Sequence, residues 1–447
     1  MGSMLKISIS GVRGIANVSL TPEVCLSFAK AFGTYLKGGK VVVGTDTRAS
    51  SEFIKGIVMQ GLISCGCQVV DLGIAPTPTV GFMAKELKAA GGLVVTASHN
   101  PPQWNGLKFI RGDGIFLNQK QMEELIGLFE RKEFTEAPGG GVTSQSKPYE
   151  LHLNQVIRSV KASAIRPKKF KVVYDACNGA GSIITGMLLK KLGCQVVALN
   201  CDTKKPFPHG AEPTPANLAE LCAEVKKEKA AVGFAQDPDA DRLALVIDGG
   251  EAISEEYTLA LAVQHVLSRA LGEKRIVVIN LSTSKITEDV AKSLGAVVIR
   301  TKIGEVHVAE ELKREKGRIG GEGNGGVIYP QVGYMRDSLA GIALILELLA
   351  QSGQKLSEIV DNLPKYYMYK TKVECKDQSQ VEALVEKAKE ILKDETVDLT
   401  DGVKVYLPEG SLQVRASNTE PIVRIFSEAK TPGQAKKLSE DLKSQIS

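Results

Sequence analysis

Short β-branched runs alternate with helical apolar spacing along the chain, and the alternation occurs three times. Residues 41–44, 172–175 and 276–279 each read as a strand. A helical pattern follows each of them. In the third copy Ile286, Val290 and Leu294 recur at helical spacing, and Gly295 stands where a helix-ending glycine belongs. A second strand opens on that glycine. Gly66-Cys67-Gln68-Val69-Val70 recurs as Gly193-Cys194-Gln195-Val196-Val197, and more loosely as Gly295-Ala296-Val297-Val298-Ile299. Strand, helix, glycine, strand is a βαβ unit, which builds parallel sheet. Each copy runs on to a third apolar element, at residues 92–95, 231–235 and 317–320, and each of these ends in a polar loop.

Outside the repeats the punctuation is clear. Thr21-Pro22-Glu23 reads as an N-cap, a proline at the first helical position and a first-turn acid, with the helix running to Gly38-Gly39. Pro138-Gly139-Gly140-Gly141 reads as a loop near a boundary. From about residue 366 the texture changes. A strand over 369–374, a helix over 380–393, strands near 403–406, 412–415 and 422–427, and a helix from Pro432 make a smaller α+β unit. The expected division is 1–150, 151–250, 251–365 and 366–447.

Composition narrows the class. Of 447 residues, 43% are hydrophobic and 24% charged, the balance of an ordinary soluble globular protein. A net charge of +5 without a dense basic run argues against a nucleic-acid partner. There is no signal peptide and no apolar run of membrane-spanning length, so the expectation is a cytoplasmic protein without a membrane partner. The eight cysteines form no C-x-x-C pair, and Cys65 and Cys67 are too close for a structural zinc spacing. Most sit in apolar contexts as reduced thiols.

Four polar loops carry the chemistry. In Thr96-Ala97-Ser98-His99-Asn100-Pro101 a strand runs straight into a hydroxyl and an imidazole, at the strand end where open α/β sheets bind ligands. Ser98 is a candidate nucleophile, and Lys108 downstream a candidate acid, base or phosphate neutraliser. In Asp237-Pro238-Asp239-Ala240-Asp241-Arg242 three alternating carboxylates between apolar flanks call for a hard cation, and oxygen ligands suit Mg²⁺. An EF-hand fails, because its glycine position holds Arg242 and its final glutamate position Asp248. The glycine loop Gly320-Gly321-Glu322-Gly323-Asn324-Gly325-Gly326 lacks the Walker lysine and serine, and its glutamate and asparagine suit sugar hydroxyls. Arg415-Ala416-Ser417-Asn418-Thr419, with Arg424 beyond it, has the makings of a phosphate clamp.

Taken in this order, the loops resemble the α-D-phosphohexomutase superfamily, from Ser10-Gly11-Val12-Arg13-Gly14 to the C-terminal helix. T-A-S-H-N-P and D-P-D-A-D-R are highly specific motifs of that superfamily, and both are intact. The resemblance implies an α/β fold of four domains around a central cleft: three similar α/β domains and a C-terminal α+β domain of the TATA-box-binding-protein-like kind. It implies an intramolecular phosphotransferase in which Ser98 is phosphorylated and ligates Mg²⁺ with Asp237, Asp239 and Asp241. Arg13, His99, Lys108 and Arg242 would line the reaction centre. Glu322 and Asn324 would read the sugar, and Arg415, Ser417, Asn418, Thr419 and Arg424 would hold the phosphate not being transferred. A bisphosphorylated hexose would serve as activator and intermediate, and the partner is a hexose phosphate bound by a monomer or homodimer.

Two departures bear on the substrate. Many members read G-E-x-S-G-H in the sugar loop, where this chain has asparagine at 324 and glycine at 326. Asn418 stands where the phosphate loop often has glycine, and asparagine tolerates the left-handed backbone such a turn needs. Glu305 lies where hexose-specific members often carry histidine and phosphoglucosamine mutases an acid. A carboxylate there favours an ammonium-bearing sugar, so the expectation is glucosamine 6-phosphate to glucosamine 1-phosphate. The alternatives are a phosphomannomutase or phosphoglucomutase, and a non-catalytic sugar-phosphate-binding relative. A binding module needs no nucleophile, so intact Ser98 and the aspartates weigh against the last. A phosphatase using the same aspartates fits less well, because Pro238 and the alternating spacing suit metal ligation.

Overall fold

A computed structural model of the chain describes residues 5–145, 147–269, 275–408, 410–417 and 421–446. Asn418 and Thr419 lie outside the described residues.

The three repeats form one topology. In the first, strand Gly39–Thr45 lies between Cys67–Ile74 and Gly91–Val95, parallel to both. In the second, Lys171–Asp175 lies between Gln195–Leu199 and Val232–Gln236. In the third, Ile276–Asn280 lies between Val297–Thr301 and Ile319–Glu322. Each third strand then reverses into an antiparallel neighbour: Trp104–Arg111, Leu243–Ile247 and Gly326–Ile328. The first sheet adds Lys6–Ser8 and Gly11–Ile15 at one edge, which places Arg13 opposite Gly106.

Local chemistry explains the punctuation. The Thr21 side chain accepts from the Val24 amide and opens helix Pro22–Tyr35 on its proline. That helix stops before Gly38 and Gly39, both at positive φ, which start the next strand instead. Gly295 has φ +72° and turns helix Lys285–Ser293 back toward the sheet. The glycine run after Pro138 is only partly a loop. Gly141–Ser144 forms an edge strand on Cys67–Ile74, a pairing that depends on a partner far away in sequence.

The second and third units share one core. Helices Glu256–Arg269 and Ser338–Ser352 lie in it, the latter buried over most of its length. Such an all-round apolar helix belongs inside a protein. The first unit packs on the third through Val42, Met83, Val278 and Leu312. The C-terminal unit is a five-stranded antiparallel sheet with helices Gln378–Ile391 and Pro432–Ile446 packed over its own core. It docks on the third unit through polar contacts. Lys404 donates to the Leu281 carbonyl (2.6 Å), Asp401 accepts from the Ile303 amide (3.0 Å), and Glu428 accepts from the Lys285 amide (2.9 Å). Glu428 therefore caps a helix N-terminus across a domain boundary. Among the described residues no helix is long and apolar enough to cross a membrane.

Candidate active site

The Ser98, acidic and sugar loops are connections in antiparallel hairpins, which places their polar groups at the ends of well-anchored strands. The Ser98 loop follows strand Gly91–Val95. Ser98 itself is buried and holds a left-handed backbone, φ +50°, unusual for a serine. Its amide donates to Thr96 Oγ1 (2.9 Å), and that hydroxyl donates to Asp46 (2.7 Å). Its own hydroxyl donates to Asp237 Oδ2 (2.9 Å). Arg48 holds the loop from below. Its guanidinium donates to the carbonyls of Ser98, Asn100 (2.7 Å), Pro101 (2.6 Å) and Trp104 (3.0 Å), and to Asp46 (2.9 Å). Arg13 donates to the Asn100 side chain (2.9 Å).

The acidic loop lies directly against this serine. One carboxylate oxygen from each of Asp237, Asp239 and Asp241 falls within 4.8 Å of the others, and all three residues are fully buried. Burial and repulsion from Asp241 and Asp239 raise the Asp237 pKa well above the carboxylate range. Asp239 and Asp241 are lowered; burial opposes the shift, but the Lys108 ammonium beside both and Arg336 beside Asp241 outweigh it. Lys108 donates to Asp239 (2.6 Å) and Asp241 (3.2 Å), and these anions outweigh its own burial and keep it a cation. The Oδ1 atoms of Asp239 and Asp241 are buried with no protein donor. Orphaned carboxylate oxygens in an all-oxygen set are what a hard divalent cation fits. His99 is a neutral imidazole, because Arg242, burial and Arg13 all lower its pKa, and its Nδ1 has no protein partner.

Two adjoining cavities meet at Glu322 and Asn324. One, of about 200 Å³, is lined by Arg13, Lys108, Arg242, Glu305 and Arg336. The other, of about 380 Å³, opens between His99, Glu256 and the C-terminal unit's Arg415, Ser417 and Arg424. Arg415 and Arg424 stand directly opposite each other on paired strands. Arg415 also donates to Asp401 (3.1 Å), so a carboxylate already stands beside this pair. Glu322 accepts from Asn280 (2.9 Å) and Arg336 (2.6 Å). Arg242 donates to Glu212 (2.8 Å). Glu305 faces the cavity but is already engaged, accepting from the Arg336 amide (2.7 Å); burial raises its pKa to about 7 against the pull of Arg336.

Models of the phosphoglucomutase/phosphomannomutase family match the chain end to end. The α/β/α domains I, II and III fall on residues 4–136, 149–250 and 254–367, and the C-terminal domain on 371–445. The chain belongs to this family. It is a phosphohexomutase, an isomerase that works as an intramolecular phosphotransferase. A phosphoglucomutase/phosphomannomutase of Thermococcus kodakarensis is 41% identical over 440 residues, covering 96% of each chain. A phosphoglucosamine/phosphogalactosamine mutase of Sulfurisphaera tokodaii is 36% identical over 443 residues, covering 97% of each. The crystal structure of a phosphoglucomutase/phosphomannomutase family protein from Burkholderia thailandensis superposes with a TM-score of 0.85 at 26% identity, covering 98% of this chain and 97% of that one.

Three residues of this phosphohexomutase site carried no motif signal. Arg48 sits two residues beyond Asp46, and a buried Asp-x-Arg at the end of the first strand was the available clue. The first strands of the other repeats end likewise, in Asp175 and Asn280, and both organise the loops around them. Arg336 reaches the site from the segment before helix Ser338–Ser352. Glu256 lies under the sugar loop, where a Cβ on Gly323 would come 2.0 Å from its carboxylate, so a side chain there would have to push the Glu256 carboxylate aside. Burial raises the Glu256 pKa to about 8.

Proposed function

We propose that the enzyme moves a phosphoryl group between the 6 and 1 positions of a hexose phosphate through a phosphoserine on Ser98. The observation that carries this is the Ser98 hydroxyl on Asp237 at 2.9 Å, inside a buried acidic triad and beside a two-part cleft. In the first transfer a sugar hydroxyl oxygen bonds to phosphorus as the Ser98 Oγ–P bond breaks; the proton lost by the sugar hydroxyl ends on Ser98 Oγ, giving a bisphosphate and a free serine. The sugar turns over, and the opposite transfer returns its other phosphate to Ser98. Arg415, Ser417 and Arg424, with Asn418 and Thr419, take the phosphate not reacting. Glu322 and Asn324 read hydroxyls shared by both orientations.

Asp237, Asp239 and Asp241, with the Ser98 group, would hold Mg²⁺, which supplies charge neutralisation at the transferring phosphoryl group. Lys108, held as a cation, can donate a proton or neutralise charge; in that state it cannot accept one. Arg13 and Arg242 add positive charge, and neutral His99 offers a hydrogen bond. Phosphoryl transfer depends mainly on such positioning. The reading includes a bisphosphorylated hexose as activator, the division at residues 150, 250 and 365, a monomer or homodimer, and a cytoplasmic location.

Glucosamine 6-phosphate is the proposed substrate, supported by Glu305 on the cleft wall and by the amino-sugar mutase among the relatives. Glucose and mannose phosphates are the second reading. The relative at 41% identity bears those names, and the Glu305 carboxylate is shared with Arg336. Rates on glucosamine, glucose and mannose 6-phosphates decide between them. A Glu305→Gln variant that keeps an undiminished preference for the amino sugar would refute the role given to Glu305.

A further inference from the structure

One buried guanidinium joins three loops of the site. Arg336 is 8% exposed. It donates to Asp241 Oδ2 (2.8 Å) in the acidic loop and to Glu322 Oε2 (2.6 Å) in the sugar loop. Its Nε lies 2.9 Å from Glu305 Oε2, at the start of helix Glu305–Arg314. The two hydrogen bonds fix Asp241 and Glu322 in direction as well as position, whereas Glu305 is held only as a close ion pair. With Oδ2 of Asp241 occupied by Arg336 and Lys108, the oxygen left without a protein donor is Oδ1.

The sugar loop is built to admit this side chain. A Cβ at Gly326 would stand 2.2 Å from Arg336 Cδ and 2.9 Å from its Cγ. Gly326 is not at positive φ, so space rather than backbone conformation keeps it glycine. The departure from G-E-x-S-G-H falls at this position. A histidine there and Arg336 on its present path exclude each other, because both need the same volume beside Glu322.

We propose that Arg336 is a positioning residue that ties the metal loop to the sugar loop, and that Gly326 is kept small to let it pass. The proposal rests on the mutase reading, and its test separates the two. Arg336→Met removes a cation from beside Asp241 and a donor from Glu322, with opposite consequences. Mn²⁺, titrated by electron paramagnetic resonance, binds about threefold tighter or more, because a positive charge has left the cation's surroundings. KM for glucosamine 6-phosphate or glucose 6-phosphate rises about tenfold or more, because Glu322 has lost a charged hydrogen bond. Arg336→Lys keeps the charge and loses the fork, so Mn²⁺ affinity stays near wild type while KM rises. Gly326→Ala displaces Arg336 without removing it, and reproduces the KM rise even if Arg336→Met fails to fold. Equal weakening of Mn²⁺ and sugar-phosphate binding in folded Arg336→Met would mark a merely structural residue and overturn the proposal. So would no change in either, or an unaffected KM in Gly326→Ala. Equilibrium binding of glucose 1,6-bisphosphate, which should weaken in Arg336→Met and Gly326→Ala as KM rises, and Mn²⁺ binding are both read without turnover; unchanged bisphosphate binding in both variants overturns the proposal even if the mutase reading fails.

Discussion

Replacing Arg48 should disable the nucleophile without touching it. Its guanidinium satisfies the carbonyls of Ser98, Asn100, Pro101 and Trp104 and neutralises buried Asp46. The Asp46–Arg48 pair is fully buried, so Arg48→Met leaves a carboxylate whose remaining donors are Ser51, Thr96 and the residue 48 amide. Removing one partner of a buried pair costs about 3–5 kcal/mol. The carbonyls near solvent recover hydrogen bonds to water, so they add little to that. Ser98 adds a second consequence. A serine at φ +50° stores about 1–3 kcal/mol of backbone strain, and the Arg48 contacts are what offset it. Released, the loop relaxes, and a displacement of about 1 Å costs roughly a hundredfold in rate. Urea unfolding should show the stability loss. Phosphoryl transfer from phosphorylated enzyme to sugar phosphate in a single turnover should fall about a hundredfold, with the aspartate triad still binding Mn²⁺. Arg48→Lys should recover the charge on Asp46 and part of the stability, but little of the rate. Wild-type transfer rates in a destabilised Arg48→Met would refute the link between the strained serine and its arginine support.

The acidic triad should stabilise the fold only when a cation is present. Saturating Mg²⁺ at about 100 times its Kd should add about 2.7 kcal/mol and raise Tm, EDTA should reverse this, and Asp239→Asn should blunt it. Lys404 makes stability depend on pH at the docking face of the C-terminal unit. Burial lowers its pKa to about 7, so above that value the folded chain binds fewer protons than the unfolded one. Stability therefore gains a rising component from pH 7 toward the ordinary lysine range, and none below it. Wild type minus Lys404→Met melts, measured at pH 7 and about pH 9, should show that slope, and parallel curves would contradict it. Glu428→Gln, which weakens the cap on helix Lys285–Ser293, should loosen the docked C-terminal unit, seen as a larger radius in small-angle scattering without bisphosphate sugar.

Much of the architecture was legible because the repeats restate it. Three β-branched runs followed by a glycine and a second run led to three sheets of the same order, with the parallel strands where the periodicity placed them. The chemistry was legible for a related reason. Ser98, the three aspartates and Glu322 sit in contiguous hairpin loops, so function is concentrated in short words of sequence. Arg48 and Arg336 were not legible, because a buried arginine looks like a solvated one until its partners are known. Arg336 meets Asp241 across 95 residues of chain. Gly141–Ser144 was hidden by its glycines and by a strand partner at Cys67–Ile74. The meaning of Gly326 was hidden too, since a missing side chain shows its purpose only when another fills the space.

The central claim is that Ser98 carries the phosphoryl group. The direct measurement is intact-protein mass of wild type and Ser98→Ala after incubation with Mg²⁺ and glucose 1,6-bisphosphate, paired with mutase assays on three hexose 6-phosphates. The account predicts one phosphate on wild type, none on the variant, and turnover only in wild type. A phosphorylated or fully active Ser98→Ala, or a wild type phosphorylated elsewhere, would contradict it.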